Sequence, residues 1–216
     1  MSPLVGVVVI GLWMGLVLLL AVVARRRWPG QKELSRKLVH IGTGPVLPLA
    51  WWLQIPAALA VPIATAITVV ALINHRWRWL PAVEDVDRNS YGTVAYGLAI
   101  TTLLLLFWPH QPQAACAGVL VMAAGDGLAG LIGRATHTPH WQIWGQTKSV
   151  AGTLTMAAVS LTVLAMLAWV APESPGLAGL LAISLLATGL EQLSPWGIDN
   201  LTVPLTVGLS WPWFST

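Results

Sequence analysis

The feature that most constrains this chain is where its charges are absent. No Asp, Glu, Lys or Arg occurs in residues 1–24, 38–75, 89–125, 149–172, 174–190 or 200–216. A helix crossing a bilayer needs about 20 mostly apolar residues to traverse about 30 Å of hydrocarbon. Single spans fit at 3–24, 149–171, 174–194 and 198–214. The stretches 38–75 and 89–125 each hold two, divided at Pro56 near Gln54 and at Pro109-His110-Gln111-Pro112. The pattern predicts an all-α fold, a polytopic transmembrane helical bundle of about seven to eight spans. It excludes an ordinary soluble enzyme. Only 9% of the residues are charged, against about 25% in soluble domains. The lone Cys116 lies in an apolar run, reads as a small buried hydrophobe, and rules out a disulfide framework. Residues 1–24 lack a basic leader and precede Arg25-Arg26-Arg27, so they read as a retained anchor helix.

Taking the spans as 3–24, 38–54, 56–74, 93–108, 112–133, 149–171, 176–194 and 198–214, the connecting segments alternate between two sides. All 11 basic residues fall on one side: Arg25, Arg26, Arg27, Lys32, Arg36, Lys37, Arg76, Arg78, Arg88, Arg134 and Lys148. The positive-inside rule makes that side cytoplasmic and puts the N-terminus outside. Loop bias therefore explains the basic balance, and no nucleic-acid partner is expected. Of 13 tryptophans, Trp28, Trp51, Trp52, Trp77, Trp79, Trp108, Trp196, Trp211 and Trp213 lie at or near predicted span ends, where interfacial anchors belong.

Of the eight acids, Glu33, Glu84, Asp85 and Asp87 are expected in solvated cytoplasmic loops and Glu173 in an outer turn. Asp126, Glu191 and Asp199 remain. A charge at mid-bilayer costs roughly 2.5–3.5 kcal/mol on insertion scales, so each is a functional candidate. The span directions bring all three towards the cytoplasmic end, the end that carries every basic residue. Asp199 could alternatively be a helix N-cap. Carboxylates beside a cationic pocket suit a magnesium-bound polyphosphate, because magnesium is held by one or two carboxylates plus substrate phosphates. Ser149 is expected to cap span six beside Lys148, where free N–H groups favour a phosphate.

Several motifs are set aside on context. Gly125-Asp126-Gly127-Leu128-Ala129-Gly130 spells a dinucleotide fingerprint but follows an apolar helix instead of a strand. Gly125, Ala129 and Gly133 read instead as a small-residue packing face. Gly145 to Ser149 lacks P-loop spacing. His137 and His140 lack further zinc ligands. Arg36 and His40 open span two as i,i+4 neighbours, and Gly42-Thr43-Gly44-Pro45 must loosen the helix after them.

Four segments in order resemble the phytol kinase family, which belongs with the dolichol and polyprenol kinases. They are Glu33 to Gly44 (ELSRKLVHIGTG), Tyr91-Gly92-Thr93, the block Gly125 to Arg134 followed by Lys148 to Thr153, and Asp199 to Leu205 (DNLTVPL). At one place the chain departs from the family pattern: Ile198, not a second acid, precedes Asp199-Asn200. The resemblance implies a single integral membrane kinase domain over 1–216, with 1–24 as anchor and 33–205 as catalytic core. It implies transfer of the γ-phosphate of CTP to a long isoprenoid alcohol, phytol first, feeding tocopherol or related prenyl-lipid synthesis. On this reading Asp126 and Asp199 hold magnesium, and Glu191 is a third ligand or the base that orients the alcohol. Arg134, Lys148, Ser149 and Asn200 face the nucleotide and its phosphates, and Arg36, Lys37 and His40 close the site. The apolar alcohol would come from the surrounding membrane lipid and CTP from the cytoplasm. The competing readings are a CTP-dependent cytidylyltransferase or diacylglycerol kinase acting on a lipid and, from a different class, a small ion-coupled transporter.

Overall fold

The structure is a computed structural model that describes residues 2–79 and 91–215. Arg88, Glu84, Asp85 and Asp87, assigned above to a loop, lie outside the described residues. Among the described residues, ten helices follow the charge gaps. Helix α1 is Pro3–Arg27, α2 Lys32–Thr43, α3 Val46–Trp52, α4 Ala57–Trp77 and α5 Gly92–Phe107. Helix α6, Pro112–Leu120, runs through a π-helical turn, Val121–Asp126, into α7, Gly127–Ala135. Helices α8, Val150–Val170, α9, Leu177–Leu193, and α10, Asp199–Phe214, complete the set. The expectation of an all-α membrane bundle holds. Among the described residues, four helices are long and apolar enough to cross a membrane: α1, α4, the continuous Pro112–Ala135 rod, and α8.

The outside of the bundle is apolar. Leu12 is 70% exposed, Ile67 60% and Leu185 67%, the inverse of a soluble surface and the composition a lipid-facing one needs. The inside is built round the Pro112–Ala135 rod. Ala114, Ala115, Cys116, Ala117, Val119, Val121 and Met122 are fully buried, with α5, α8 and α10 packed against this rod. Small residues permit the close packing. Gly118 has the Pro204 carbonyl of α10 where a side chain would stand, so only a hydrogen fits there. Helix α1 lies against α2, where the Trp13 indole donates to the Gly42 carbonyl at 2.8 Å.

The sequence reading departs from the structure in three places. The helix of span two begins at Lys32, within the basic segment, and carries Glu33, Arg36 and Lys37 into its first two turns. It breaks at Gly44-Pro45, as the Gly-Thr-Gly-Pro run requires, and resumes as α3. Second, the polar segment after α7 forms an antiparallel hairpin, β1 His140–Ile143 with β2 Gln146–Ser149. Its turn residues Trp144 and Gly145 both have positive φ, 50° and 74°, as the tight two-residue hairpin turn demands. Third, Trp108 and Trp211 are not interfacial anchors. Both are buried, and their indoles donate to the Ile55 carbonyl at 2.8 Å and the Glu173 carbonyl at 3.3 Å. An indole at a helix end can cap the carbonyl of a neighbouring segment as readily as it can face lipid. Trp28, Trp52, Trp77, Trp79, Trp196 and Trp213 are exposed, as belt residues are.

Candidate active site

Asp126, Glu191 and Asp199 come from three different elements, the end of the π turn, the last turn of α9 and the first turn of α10. All three are buried, and one carboxylate oxygen from each lies within 4.8 Å of the others. The convergence expected from span direction is present. Each acid meets a different partner. Lys37 of α2 places its Nζ 2.6 Å from Asp126 Oδ2 and donates to the Asp126 carbonyl at 3.0 Å. His40, one turn on, has its Nε2 3.3 Å from the same Oδ2 and 3.1 Å from the Met122 carbonyl. Lys148, in β2, reaches the Glu191 carboxylate and donates to its carbonyl at 2.7 Å. Gln192 holds the other oxygen of Glu191 at 2.7 Å through its amide. Asp199 has no cationic partner among the described residues. Its Oδ1 accepts the Asn200 backbone N–H at 3.1 Å and the Asn200 side-chain amide at 3.2 Å.

These contacts correct parts of the sequence reading. On α2 the residues that meet Asp126 are Lys37 and His40, three residues apart, and not Arg36 with His40. Arg36 turns instead to Glu33, whose Oε2 accepts from its Nη2 at 2.7 Å and from Arg134 Nη2 at 3.2 Å. Glu33 is therefore not a solvated loop acid. Burial alone would raise its pKa, but Arg36 and Arg134 beside it hold it down to about 2. Asp199 is not the N-cap of α10; that position is Ile198, and Asp199 is already the first helical residue. Ser149 does cap α8, accepting the Gly152 N–H at 3.1 Å. The small-residue face is also realised. A side-chain carbon on Gly133 would stand 2.7 Å from Ser149 Oγ and 3.4 Å from the Gly152 Cα, so α7 and α8 meet backbone to backbone beside Asp126.

The carboxylates open into a cavity of about 600 Å³. Arg36, Lys37, Arg134, Lys148, Ser149 and Asn200 line it together with all three acids. His40 does not; it backs Asp126 from within the protein. The hairpin forms one wall, and the cavity is also lined by His140, which the sequence reading set aside for want of further zinc ligands, and by Gln146 and Gln192, which it did not single out. Gln192 stands out in sequence only as the neighbour of Glu191, and the Gln146 amide donates to the Ser194 carbonyl at 3.3 Å, tying the hairpin to the end of α9. His137 does not join them. The donor set is three hard carboxylate oxygens with neighbouring ammonium and guanidinium groups. It can hold a divalent cation and a polyphosphate together.

The chain is 40% identical to the phytol kinase of Synechocystis over 198 residues, covering 89% of this chain and 84% of that one. The chain belongs to the phytol kinase family. It is also 28% identical to a chloroplastic farnesol kinase of Arabidopsis thaliana and 30% identical to a probable phytol kinase of Oryza sativa. These matches cover 83% and 82% of this chain, which spans 64% of each plant protein's own length. No protein-family model and no solved structure matches it. The segments that resemble the phytol kinase family, scattered from 33 to 205, assemble at one end of the bundle. Glu33 to Gly44 forms α2, and Gly125 to Arg134 forms the end of the π turn and α7. Lys148 to Thr153 joins β2 to α8, and Asp199 to Leu205 opens α10. Tyr91, before α5, donates its backbone N–H to the Trp196 carbonyl at 3.2 Å, fastening α5 to the link between α9 and α10.

Proposed function

We propose that this protein transfers the γ-phosphate of CTP to an isoprenoid alcohol, phytol first, in a site on the cytoplasmic side of a multi-pass bundle whose N-terminus lies outside. The observation that carries this reading is the meeting of Asp126, Glu191 and Asp199 from three helices on a cavity that Lys37, Lys148, Arg36 and Arg134 also line. Phosphoryl transfer is mainly positioning and charge stabilisation, and this end of the bundle concentrates both signs of charge in an otherwise apolar molecule. Family membership supports the alcohol acceptor. Phytol is preferred over farnesol because the Synechocystis phytol kinase is the more similar relative, at 40% against 28%. The preference for CTP rests on the resemblance to the wider family of dolichol and polyprenol kinases. The cytoplasmic assignment rests on the one-sided basic residues.

Magnesium fits the donor set. Three carboxylate oxygens lie within 4.8 Å, and Asp199 makes no direct ion pair among the described residues. Asp126 and Asp199 would hold the ion, with Glu191 as a third ligand or as the carboxylate that orients the attacking hydroxyl. When bound, magnesium neutralises the polyphosphate and its developing charge. The chain's own groups do the rest. Lys37 and Lys148, each already on a carboxylate, offer ammonium groups to the phosphates. Ser149 fixes the start of α8, and Asn200 fixes the Asp199 carboxylate. His40 and the apolar core behind it exclude water from the Asp126 side. The alcohol remains in the lipid and presents its hydroxyl at the cavity.

The deciding experiment incubates the purified protein with magnesium, phytol and γ-labelled CTP, with ATP in parallel. Label in an organic-soluble phosphate from CTP is expected. Geranylgeraniol, farnesol and longer polyprenols then rank the acceptors. Labelled pyrophosphate released with phosphatidate, and no lipid phosphate from any alcohol, would move the protein to the cytidylyltransferases.

A further inference from the structure

Glu33 stands apart from the three clustered acids, and its geometry is specific. One oxygen, Oε2, accepts from Arg36 Nε at 3.2 Å, from Arg36 Nη2 at 2.7 Å and from Arg134 Nη2 at 3.2 Å. The arginines come from different helices, α2 and α7. Both line the cavity, and Glu33 does not. A third cation is close. A side-chain carbon on Gly130 would stand 2.9 Å from Lys37 Cε, 3.1 Å from Lys37 Nζ and 3.5 Å from Arg134 Nη2. The bare backbone at Gly130 is what lets Lys37 and Arg134 approach the same point. Three cations so gathered repel one another, and a carboxylate between two of them offsets that repulsion. A guanidinium carries five N–H donors, and the Glu33 contact engages only one on Arg134, so that group keeps donors for an anion.

We infer that Glu33 is a positioning residue for the donor nucleotide: it holds Arg36 and Arg134 as a preassembled pair at the cavity rim, ready for the polyphosphate. The inference rests on the nucleotide-dependent kinase reading above. It follows from preorganisation, since a clamp already ordered by the protein does not have to be ordered at the expense of binding. Two other roles for Glu33 make different predictions. A simple tie between α2 and α7 would affect stability and leave nucleotide affinity alone. A plug occupying the phosphate site would weaken binding, so its removal would tighten it.

The test compares wild type with Glu33→Gln and Glu33→Asp. The Asp variant retains the charge on a shorter arm and serves if the Gln variant does not fold. The nucleotide KM should rise about tenfold, the scale of a charge-assisted hydrogen bond. At the same time kcat and the alcohol KM should hold within about twofold. Thermal stabilisation by CTP without alcohol should weaken in step. An unchanged or lowered nucleotide KM, or a fall in kcat alone, overturns the inference. Stabilisation of wild type by CTP that the variants lose, with no phosphate transferred to any alcohol, would uphold the Glu33 role and sink the kinase reading. No stabilisation of wild type by any nucleotide and no turnover would end both.

Discussion

The two ends of the bundle solve the same problem in opposite ways. At each end, helices stop and strong polar groups must be satisfied. At the end where α3, α5, α8 and α10 finish, the devices are neutral. Trp108 caps the Ile55 carbonyl, Trp211 caps the Glu173 carbonyl, and Pro175 bridges to Ser215 through the backbone. Phe214 packs directly on Gly179. At the other end the devices are ionic. Lys37 meets Asp126, Lys148 meets Glu191, and Glu33 sits between two arginines. Buried ion pairs are a poor way to stabilise a protein, because desolvation consumes most of the attraction. The neutral end shows that this chain can close a bundle without them. The ionic end is therefore best understood as chemistry retained against a cost in stability.

The sharpest way to break that contrast is Asp126→Asn. Turnover should fall by about 100-fold or more, as when one electrostatic element of a transition-state site is removed. Labelled-phosphate transfer by protein that still elutes as a folded species checks it, and near-normal turnover would refute the assignment. Next is Lys148→Met. It leaves the Glu191 carboxylate buried without its cation, which costs about 3–5 kcal/mol in such pairs. Adding Glu191→Leu should restore much of the thermal midpoint while activity stays lost; recovery of activity in the double variant would show that the pair is merely structural.

A smaller effect is the pH dependence of Glu33. Its pKa is lowered to about 2 from the ordinary 4.5. The stabilising contribution is therefore complete above 4.5 and disappears as pH falls from there towards 2. The gap in thermal midpoint between wild type and Glu33→Gln should narrow over that range. A gap that widens on acidification would contradict the pairing. The neutral end supplies the smallest effects. Trp211→Phe should cost about 0.5–1.5 kcal/mol for the lost hydrogen bond, read as a lower melting temperature with kcat and KM unchanged. Glu173→Gln should be silent, within roughly 0.5 kcal/mol, because the carbonyl of Glu173 accepts the Trp211 indole and its side chain belongs to no ion pair among the described residues.

How far sequence alone could reach follows from the same contrast. Helix positions were legible because the charge gaps mark them, and the convergence of Asp126, Glu191 and Asp199 was legible from depth and direction. The pairings were not. Which face of α2 points inward depends on where that helix starts, and it starts at Lys32 because Glu33 and Lys37 find partners that are distant in sequence. The i,i+3 spacing of Glu33 and Arg36 was a visible signal for their pair, whereas the contact with Arg134 spans 101 residues. Trp108 and Trp211 occupy span ends like the exposed tryptophans, and nothing local distinguishes a lipid-facing indole from one that caps a carbonyl. The hairpin was hidden because its turn uses Trp144 at positive φ where Asn or Gly would have announced it.

The π turn at Val121–Asp126 carries one consequence of a different kind. Such a turn places one more residue in the coil than an α-helix would. It sets Asp126 in register with α2 while Ala114 to Val119 keep theirs with α5 and α10. The segment should therefore be forgiving of what its residues are and unforgiving of how many there are. Removing a single residue from it would rotate α7, and Arg134 with it, away from partners that conservative replacements leave in place. In a deletion scan of the Pro112–Ala135 rod, this short interval is where length itself is under constraint.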